Sequence, residues 1–419
     1  MFRKLLLSTL AGTLSILVAV PAAAAAAPAY TGTALPGQIL QQLLNAEHAA
    51  GMPGVFAEVR AGHQRWRGAA GVADVTTNRP VRPGMRQRVG SITKTFVATT
   101  VLQLVGERRV DLDAPASRYL PDLLPGGKLG RVTVRMLLNH TSGIGDYLSV
   151  LLRSPEDVEK YRTRTISPRE LVALGLSAPP TNYPGAAWSY SNTNYILLGL
   201  LIERVTGRAY AAEVRRRILR PLGMTRSYFP GRDPRIRGSH ARAYIRWTDD
   251  KLRDFSVYNM SVAWAAGELI STPHDLNVFF RALLSGRVLP PALLKQMQTT
   301  ASVDPAKKPQ ATGPGGYGLG IALVALPCGL FWGHDGSVPG QDTISFHSSD
   351  GSRQVSLAEN MNFEGSPGRI QEARLRFLTT ALCGPETGVR KAGAAGRALP
   401  LQFTPALAVR RQRQRVVTA

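Results

Sequence analysis

The sequence predicts a protein of the α/β (α+β) class with two lobes, one mixed and one mainly helical. Strand patterns beside a helix occur at both ends of the chain, and helical patterns fill the middle. The globular part spans roughly 360 residues, which is more than one simple core usually holds. We therefore expect a mixed lobe (about 28–85 and 311–384), a helical lobe (about 86–310) and a cleft between them.

The N-terminus has the pattern of a secretory signal peptide. Two basic residues precede an apolar run from Leu5 to Val20, and a proline and an alanine tract follow it. We expect residues 1–27 to be removed, with cleavage between about Ala23 and Ala27. The run is short for a membrane span, so the mature protein is expected to be secreted or envelope-associated, without a transmembrane segment.

The mixed lobe begins with a helix and two strands. Apolar residues at helical spacing predict a helix that covers 39–44 and ends near Gly51, and alternation predicts hairpin strands at 55–60 and 64–68. The next helix begins at Ser91, and its three- and four-residue apolar steps predict an amphipathic helix that ends at Gly106. Lys94 shares a face with Ser91 and could take its proton, although a capping serine beside a solvated lysine is the alternative.

The middle of the chain reads as helices. The periodic segments are 133–138, 168–176, 195–205, 211–222, 273–284 and 291–298. His140 lies just after the first of them, and a lone histidine at a helix end is more often a cap or a packing residue than a base or a ligand. No grouping of histidine or acidic residues has the spacing of a metal site, so we expect no metal and no cofactor.

The C-terminal part returns to strands and ends with a helix. Short strands are predicted at 317–324, 330–333, 343–347 and 353–359, followed by a helix at 367–382. Residues 385–419 are rich in Ala, Gly, Pro and Arg without periodicity, which predicts a disordered basic tail. In an exported protein, Cys328 and Cys383 are expected to form a disulfide between a strand and the last helix.

The net charge of +23 comes mostly from arginine. Nucleic-acid binding is one interpretation, but the basic residues are scattered without interleaved aromatic residues, and the protein is expected to leave the cell. We therefore expect no nucleic-acid partner. An anionic surface of the cell envelope, such as wall polymers or lipid head groups, is the partner that this charge favours.

Three short motifs occur in order along the chain: Ser91-Ile92-Thr93-Lys94, Tyr190-Ser191-Asn192 and His334-Asp335-Gly336. Together they resemble the motifs of the serine β-lactamase and penicillin-binding protein superfamily. Phrases such as Gly-Ala-Ala-Trp-Ser-Tyr-Ser-Asn resemble most the secreted D-alanyl-D-alanine carboxypeptidases of Streptomyces. The resemblance implies an antiparallel sheet flanked by N- and C-terminal helices plus an all-α lobe, with the active site in the cleft between them.

The resemblance also implies roles for the motif residues. Ser91 would be the nucleophile, and Lys94 and Tyr190 would share general-base duty in an order that the sequence leaves open. Asn192 would bind Lys94 and the substrate amide. The remaining substrate-binding residues would be His334, at the family's cationic position, with Asp335, Gly336 and Ser337. The backbone N–H groups of Ser91 and Ser337 would form the oxyanion hole.

Two positions depart from the family pattern. Asp335 stands where a hydroxyl residue usually helps to hold a substrate carboxylate, and Ala322 stands where a carboxylate-binding arginine is expected. Both changes weaken the binding of a C-terminal carboxylate, and Asp335 would repel one unless a cation such as Arg353 neutralised it.

The first functional hypothesis is an exported serine hydrolase of the D-alanyl-D-alanine carboxypeptidase type. It would act on peptidoglycan-like peptides through an acyl-enzyme and would bind β-lactams. The alternatives on the same scaffold are an esterase, a D-aminopeptidase or a β-lactamase acting on another small amide or ester. A penicillin-binding sensor without turnover is a hypothesis of a different class.

Overall fold

The computed structural model describes residues 35–247, 249–302, 315–362 and 368–385. The predicted signal peptide lies outside the described residues, as does the predicted tail after its first residue. Both stay predictions. Within the described ranges, no helix is long and apolar enough to cross a membrane.

The described residues contain fourteen short or medium strands. They are β1 Gly54–Ala61, β2 Gln64–Asp74, β3 Arg79–Pro80, β4 Gln87–Arg88, β5 Tyr244–Arg246, β6 Leu252–Asp254, β7 Ile270–Ser271, β8 Ala301–Ser302, β9 Gly316–Tyr317, β10 Ala322–Leu326, β11 Gly329–Val338, β12 Gln341–Ser348, β13 Arg353–Glu359 and β14 Met361–Asn362. Nine of these strands form one antiparallel sheet, in the order β3-β2-β1-β13-β12-β11-β10-β9-β8. This sheet confirms the predicted fold class.

The helices of the described ranges lie on the sheet or in the middle of the chain. They are α1 Gly37–Ala49, α2 Thr93–Gly106, α3 Val134–Leu138, α4 Leu148–Leu151, α5 Pro155–Lys160, α6 Pro168–Ser177, α7 Asn192–Thr206, α8 Tyr210–Val214, α9 Pro273–Leu284, α10 Pro291–Met297 and α11 Gly368–Cys383. The helix predicted at 211–222 is instead the short α8, which continues as a π-helical turn at Arg215–Leu219.

Helices cover both faces of the sheet. Alternate residues of a strand point to opposite faces. On β1, Val55, Ala57 and Val59 share an apolar cluster with residues of α1 and α11. Glu58, which points the other way, accepts a hydrogen bond from Asn277 of α9. The N- and C-terminal helices therefore cover one face and α9 the other.

The expectation that the Ser91 helix is amphipathic is wrong. Helix α2 is buried along every residue from Thr93 to Leu102, because α7 and α8 pack against it. Besides Lys94 and Gln103, its polar residues are threonines whose hydroxyls donate to backbone carbonyls, as Thr95 does to Gly320 and Thr99 to Thr95. Threonine can therefore occupy a fully buried helix without an unpaired polar group.

Two predicted strands differ from the observed ones. The segment 317–324 is divided into β9 and β10 by a turn at Gly318–Ile321, in which Gly320 has a φ of +76°. Strand β11 does not end at Gly333 but continues through the third motif to Val338, paired with β12 at each step. Cys328, in the turn between β10 and β11, forms a disulfide with Cys383 at the end of α11, with a Cα–Cα distance of 5.5 Å.

Candidate active site

Ser91 lies on a single 3₁₀ turn, Gly90–Ile92, that leads into α2. Gly90 has a φ of +53°, the left-handed region that favours glycine. Strand β11 approaches this turn so closely that a Cβ atom on Gly336 would lie 2.0 Å from the carbonyl oxygen of Val89. The glycine of the third motif is therefore required for the contact between β11 and the Ser91 turn.

The same contact brings two backbone N–H groups together. A Cβ atom placed on Gly336 would lie 2.8 Å from the nitrogen of Ser91, and one placed on Gly90 would lie 2.9 Å from the nitrogen of Ser337. Adjacent residues of the two segments thus face each other. This is the arrangement that an oxyanion hole formed by the N–H groups of Ser91 and Ser337 requires.

Lys94 is completely buried beside the serine. Its Nζ atom donates to Ser91 Oγ at 2.9 Å, to Asn192 Oδ1 at 2.8 Å and to the carbonyl oxygen of Ala266 at 2.7 Å. Burial lowers the pKa of Lys94 to about 7, although the charges of Asp146 and Asp335 oppose the shift. Near neutral pH the amine is therefore partly free of its proton and is positioned to accept one from Ser91.

Tyr190 faces the same amine, with the Nζ atom of Lys94 5.0 Å from the centre of its ring. Burial raises the pKa of Tyr190 well above its usual value, the Ser91 hydroxyl opposes this rise, and the charge of Asp335 adds to it. The phenol therefore keeps its proton at neutral pH. In the free enzyme the proton acceptor with the more suitable pKa is Lys94.

Asn192 is the first residue of α7 and links Lys94 to a carboxylate that sequence reasoning missed. Its Nδ2 atom donates to Asp146 Oδ2 at 2.8 Å. Burial raises the pKa of Asp146, and hydrogen bonds from Leu148 and Asn192 oppose that rise. Asp146 is 46 residues from Asn192 in the sequence and belongs to no motif, so only the fold reveals the pair.

His140 is a packing residue beneath Tyr190. It adopts a positive φ of +62°, and its ring centre lies 4.2 Å from that of Tyr190. The backbone N–H of Ser191 donates to His140 Nδ1 at 3.2 Å. Burial lowers its pKa well below the usual value, and Lys94 and His334 lower it further, so the ring is neutral.

His334 is buried on β11. Its Nε2 atom is 2.9 Å from the hydroxyl of Tyr317, and its Nδ1 atom is 2.5 Å from the carbonyl oxygen of Asp335. Burial lowers the pKa of His334 to about 3, and Lys94 contributes to the shift. At neutral pH the imidazole therefore occupies the family's cationic position as an uncharged hydrogen-bonding group.

Asp335 is buried beside His334, with its Oδ1 atom 3.6 Å from His334 Nδ1, and its charge raises the pKa values of both Lys94 and Tyr190. Ala322 is fully buried in β10, opposite Gly333. Arg353 lies toward the other end of the sheet, where its Nε atom donates to the carbonyl oxygen of Ala381 at 2.9 Å. The sequence suggested that Arg353 neutralises Asp335, but Asp335 lies opposite Ile344 of β12 whereas Arg353 lies opposite Ala61 of β1, toward the other end of the sheet.

A cleft that is open to solvent leads to Ser91, Asn192 and Ser337. Its other walls are mainly apolar and aromatic, and most of them come from segments that the motifs do not include: Tyr147, Leu148, Leu152, Tyr258, Met260, Val262, Ala263, Val338 and Pro339. Residues 258–267 also supply the Ala266 carbonyl. A backbone acceptor has no signature in a sequence, so this segment could not be identified before the fold was known.

The described ranges contain no group of three or more His, Cys, Asp or Glu side chains arranged to hold a metal ion.

Comparison with known proteins places this site in a family. The β-lactamase family profile matches residues 38–381. The chain is similar to the structure of a D-stereospecific amidohydrolase from Streptomyces sp., with 38% identity over 83% of this chain and 99% of that one and a TM-score of 0.74. It is also similar to the D-amino acid amidase of Ochrobactrum anthropi SV3, with 29% identity over 81% of this chain and 96% of that one and a TM-score of 0.71.

Among curated proteins, Esterase EstB of Burkholderia gladioli is 34% identical over 203 residues, which are 47% of this chain and 51% of the esterase. The chain spans between 51% and 62% of the length of the first curated relatives that it matches. The superfamily predicted from the three motifs is confirmed, whereas a particular closeness to the Streptomyces carboxypeptidases stays a prediction. The chain belongs to the β-lactamase family and is a serine hydrolase of that family.

Proposed function

We propose that this enzyme hydrolyses amides and short peptides of D-amino acids that carry a free α-amino group. The observation that carries the proposal is the buried carboxylate of Asp335, which lies on β11 between His334 and Ser337 with its Oδ1 atom 3.6 Å from His334 Nδ1. Its charge also raises the pKa values of Lys94 and Tyr190. A carboxylate at this position attracts the ammonium group of a substrate and repels a terminal carboxylate. The similarity to a D-stereospecific amidohydrolase and a D-amino acid amidase supports the same substrate class.

The reaction begins at Ser91. Its hydroxyl proton passes to Lys94, and its oxygen attacks the substrate carbonyl to give a tetrahedral oxyanion held by the N–H groups of Ser91 and Ser337. The C–N bond then breaks, and Tyr190 donates its proton to the leaving amine and regains one from Lys94. Water attacks the resulting ester, the same groups accept and return its proton, and Ser91 is released.

The substrate side chain lies against the apolar wall of the cleft. Tyr147 and Tyr258 are almost completely buried there, and Met260 and Val262 extend the same surface. Each buried methylene group contributes about 0.8 kcal/mol to binding. We therefore expect D-phenylalanine amide to be a better substrate than D-alanine amide.

The D-alanyl-D-alanine carboxypeptidase activity expected from the motifs is the second candidate, together with the acylation by β-lactams that it implies. The geometry of Ser91, Lys94 and Tyr190 favours it equally, because this group forms an acyl-enzyme whichever amine leaves. Esterase, aminopeptidase and β-lactamase activities share that property. The two candidate functions differ in the charge of the substrate group near Asp335, which is an ammonium group for the amide hydrolase and a carboxylate for the carboxypeptidase.

The test compares kcat/KM for D-phenylalanine amide, its N-acetyl derivative, and a D-Ala-D-Ala peptide as free acid and as C-terminal amide. We expect the free amine to be preferred over the N-acetyl amide by about 100-fold, as for a buried charge-assisted contact. Asp335→Asn should remove most of that preference, and Asp250→Asn, at an exposed site, should leave it unchanged. A clear preference for the free-acid peptide would instead establish the carboxypeptidase.

We also propose that the enzyme acts outside the cytoplasm, at or near the anionic envelope. The predicted signal peptide and the net charge of +23 support this location. N-terminal sequencing of protein collected from the culture medium should give a first residue near position 28. An intact Met1 in cell-associated protein only would contradict export.

A further inference from the structure

The turn between β11 and β12 carries one of the two N–H groups assigned to the oxyanion hole. Ser337 is paired with Asp342, and Val338 with Gln341, so only Pro339 and Gly340 lie outside the ladder. Gly340 has a φ of +81°. The direction of the Ser337 N–H therefore depends on how this short turn is held.

One side chain, that of Asn362, closes the turn. Its Nδ2 atom donates to Ser337 Oγ at 2.9 Å and to the carbonyl oxygen of Val338, with a longer contact to the carbonyl of Gln341 at 3.4 Å. Its Oδ1 atom accepts from the N–H of Gly340 at 2.8 Å. The two ends and the tip of the turn are thus bound to a single amide.

The other side of the turn is held by a buried acidic residue. The carboxylate of Asp342 is bonded by the hydroxyl of Ser337, and its Oδ1 atom lies 3.3 Å from Asn362 Nδ2. Arg374 of α11 lies 3.8 Å from Asp342 and forms two hydrogen bonds with Glu359. The Ser337 side chain is therefore fixed between an amide and a carboxylate.

Building on the oxyanion-hole role of Ser337 in the proposed function, we propose that Asn362 is a positioning residue for catalysis. By holding Ser337 Oγ and the carbonyl of Val338, it orients the Ser337 N–H toward the tetrahedral oxyanion. The backbone of Asn362 is held independently, because β14 pairs with β5. Removal of its side chain therefore releases the turn while the surrounding strands stay in place.

The test measures kcat and KM on a p-nitrophenyl ester for Asn362→Ala and Asn362→Asp. The second variant keeps an acceptor for Gly340, loses the donor to Ser337 and places a carboxylate beside Asp342. Asn45→Ala and Asn45→Asp, at an exposed position of α1, are matched controls. We expect kcat to fall about 10- to 100-fold in both Asn362 variants, with KM within about threefold, and no change in the controls.

A transition-state analogue separates positioning from general destabilisation. The affinity of an alkyl boronic acid, which forms a tetrahedral adduct with the serine, should fall by the same factor as kcat/KM. In the double variant Ser337→Ala/Asn362→Ala, the loss should be smaller than the product of the two single losses, because the two residues act through one contact.

The proposal is overturned if kcat and boronic-acid affinity are retained in folded Asn362 variants, or if both variants fail to fold. The proposal is also overturned if kcat falls and KM rises by the same factor while the affinity for the boronic acid is unchanged. Hydrolysis of the p-nitrophenyl ester does not depend on whether amides of D-amino acids are substrates of the enzyme. Failure to hydrolyse D-amides would therefore contradict the proposed function and leave this test intact.

Discussion

The pH dependence of acylation should report the titration of Lys94. An ordinary lysine, with a pKa near 10.5, is unprotonated at pH 7 in roughly one molecule in 3,000, whereas a lysine with a pKa of about 7 is unprotonated in about half. Burial therefore increases the available base roughly a thousandfold. We expect the acylation rate to fall about tenfold per pH unit below an inflection near pH 7.

Asp146→Asn tests the origin of this inflection. The carboxylate of Asp146 raises the pKa of Lys94, so its neutralisation should move the inflection to lower pH. The amide can still accept the hydrogen bond from Asn192, which keeps the geometry similar. Asp250→Asn, whose side chain is 83% exposed, is the control and should not move the inflection.

The assay is the single-turnover acylation rate on an activated amide between pH 5 and 9, measured by stopped flow.

The buried amine of Lys94 also affects the free energy of unfolding. Between pH 7 and 10.5 the unfolded lysine holds a proton that the folded one has lost, so the free energy of unfolding rises with pH across this window, by up to roughly 5 kcal/mol. Lys94→Met should remove that rise. In the acylation assay, a pH profile without the inflection near pH 7, or a shift of that inflection to higher pH in Asp146→Asn, would refute the assignment of Lys94 as the base.

Three further predictions concern the fold around the site. Cys328→Ser/Cys383→Ser should lower the free energy of unfolding by roughly 4 kcal/mol under the chain-entropy model, and two free thiols in denatured secreted protein would exclude the bond. Glu58→Ala should cost about 3 kcal/mol in a urea titration, because it removes the buried carboxylate that pairs with Arg60, Arg67 and His274. Burial raises the pKa of Glu58, but hydrogen bonds from His274 and two arginines outweigh this and hold it at about 2. The stabilisation should therefore be present at neutral pH and be lost as pH falls from about 4.5 toward 2, and a cost of Glu58→Ala that is as large at pH 2 as at pH 7 would contradict it. Gly336→Ala should abolish ester hydrolysis, because its Cβ would overlap a backbone carbonyl, and activity within tenfold of the parent enzyme would disprove the close approach.

The contact between Ser91 and Lys94 could be predicted because their spacing in the sequence is local. Ser91 and Lys94 are three residues apart at a helix start, and any helix brings such residues to one face. Asp146 could not be predicted, since its contact with Asn192 joins two loops 46 residues apart. The same holds for the Ala266 carbonyl, which receives a hydrogen bond from Lys94 through its backbone alone.

Polar residues in buried elements caused the main errors of the fold prediction. The apolar spacing of α2 predicted an amphipathic helix, but the hydroxyls of its threonines are satisfied by backbone carbonyls inside the protein. Strand β11 contains Gly333, His334, Asp335 and Gly336, which have low strand propensity, yet the ladder with β12 holds all of them. The β5–β6 hairpin was missed because strands of three residues give no periodic signal.

The assignment of Ser91 as the nucleophile is tested most directly by the mass of the intact protein after brief incubation with an excess of a p-nitrophenyl ester near neutral pH, quenched with acid before deacylation is complete. We predict one acyl adduct per molecule, located on the peptide that contains Ser91, and no adduct and no turnover in Ser91→Ala. An adduct on another residue, or hydrolysis by pure Ser91→Ala at the rate of the unaltered enzyme, would contradict the assignment of Ser91 as the nucleophile.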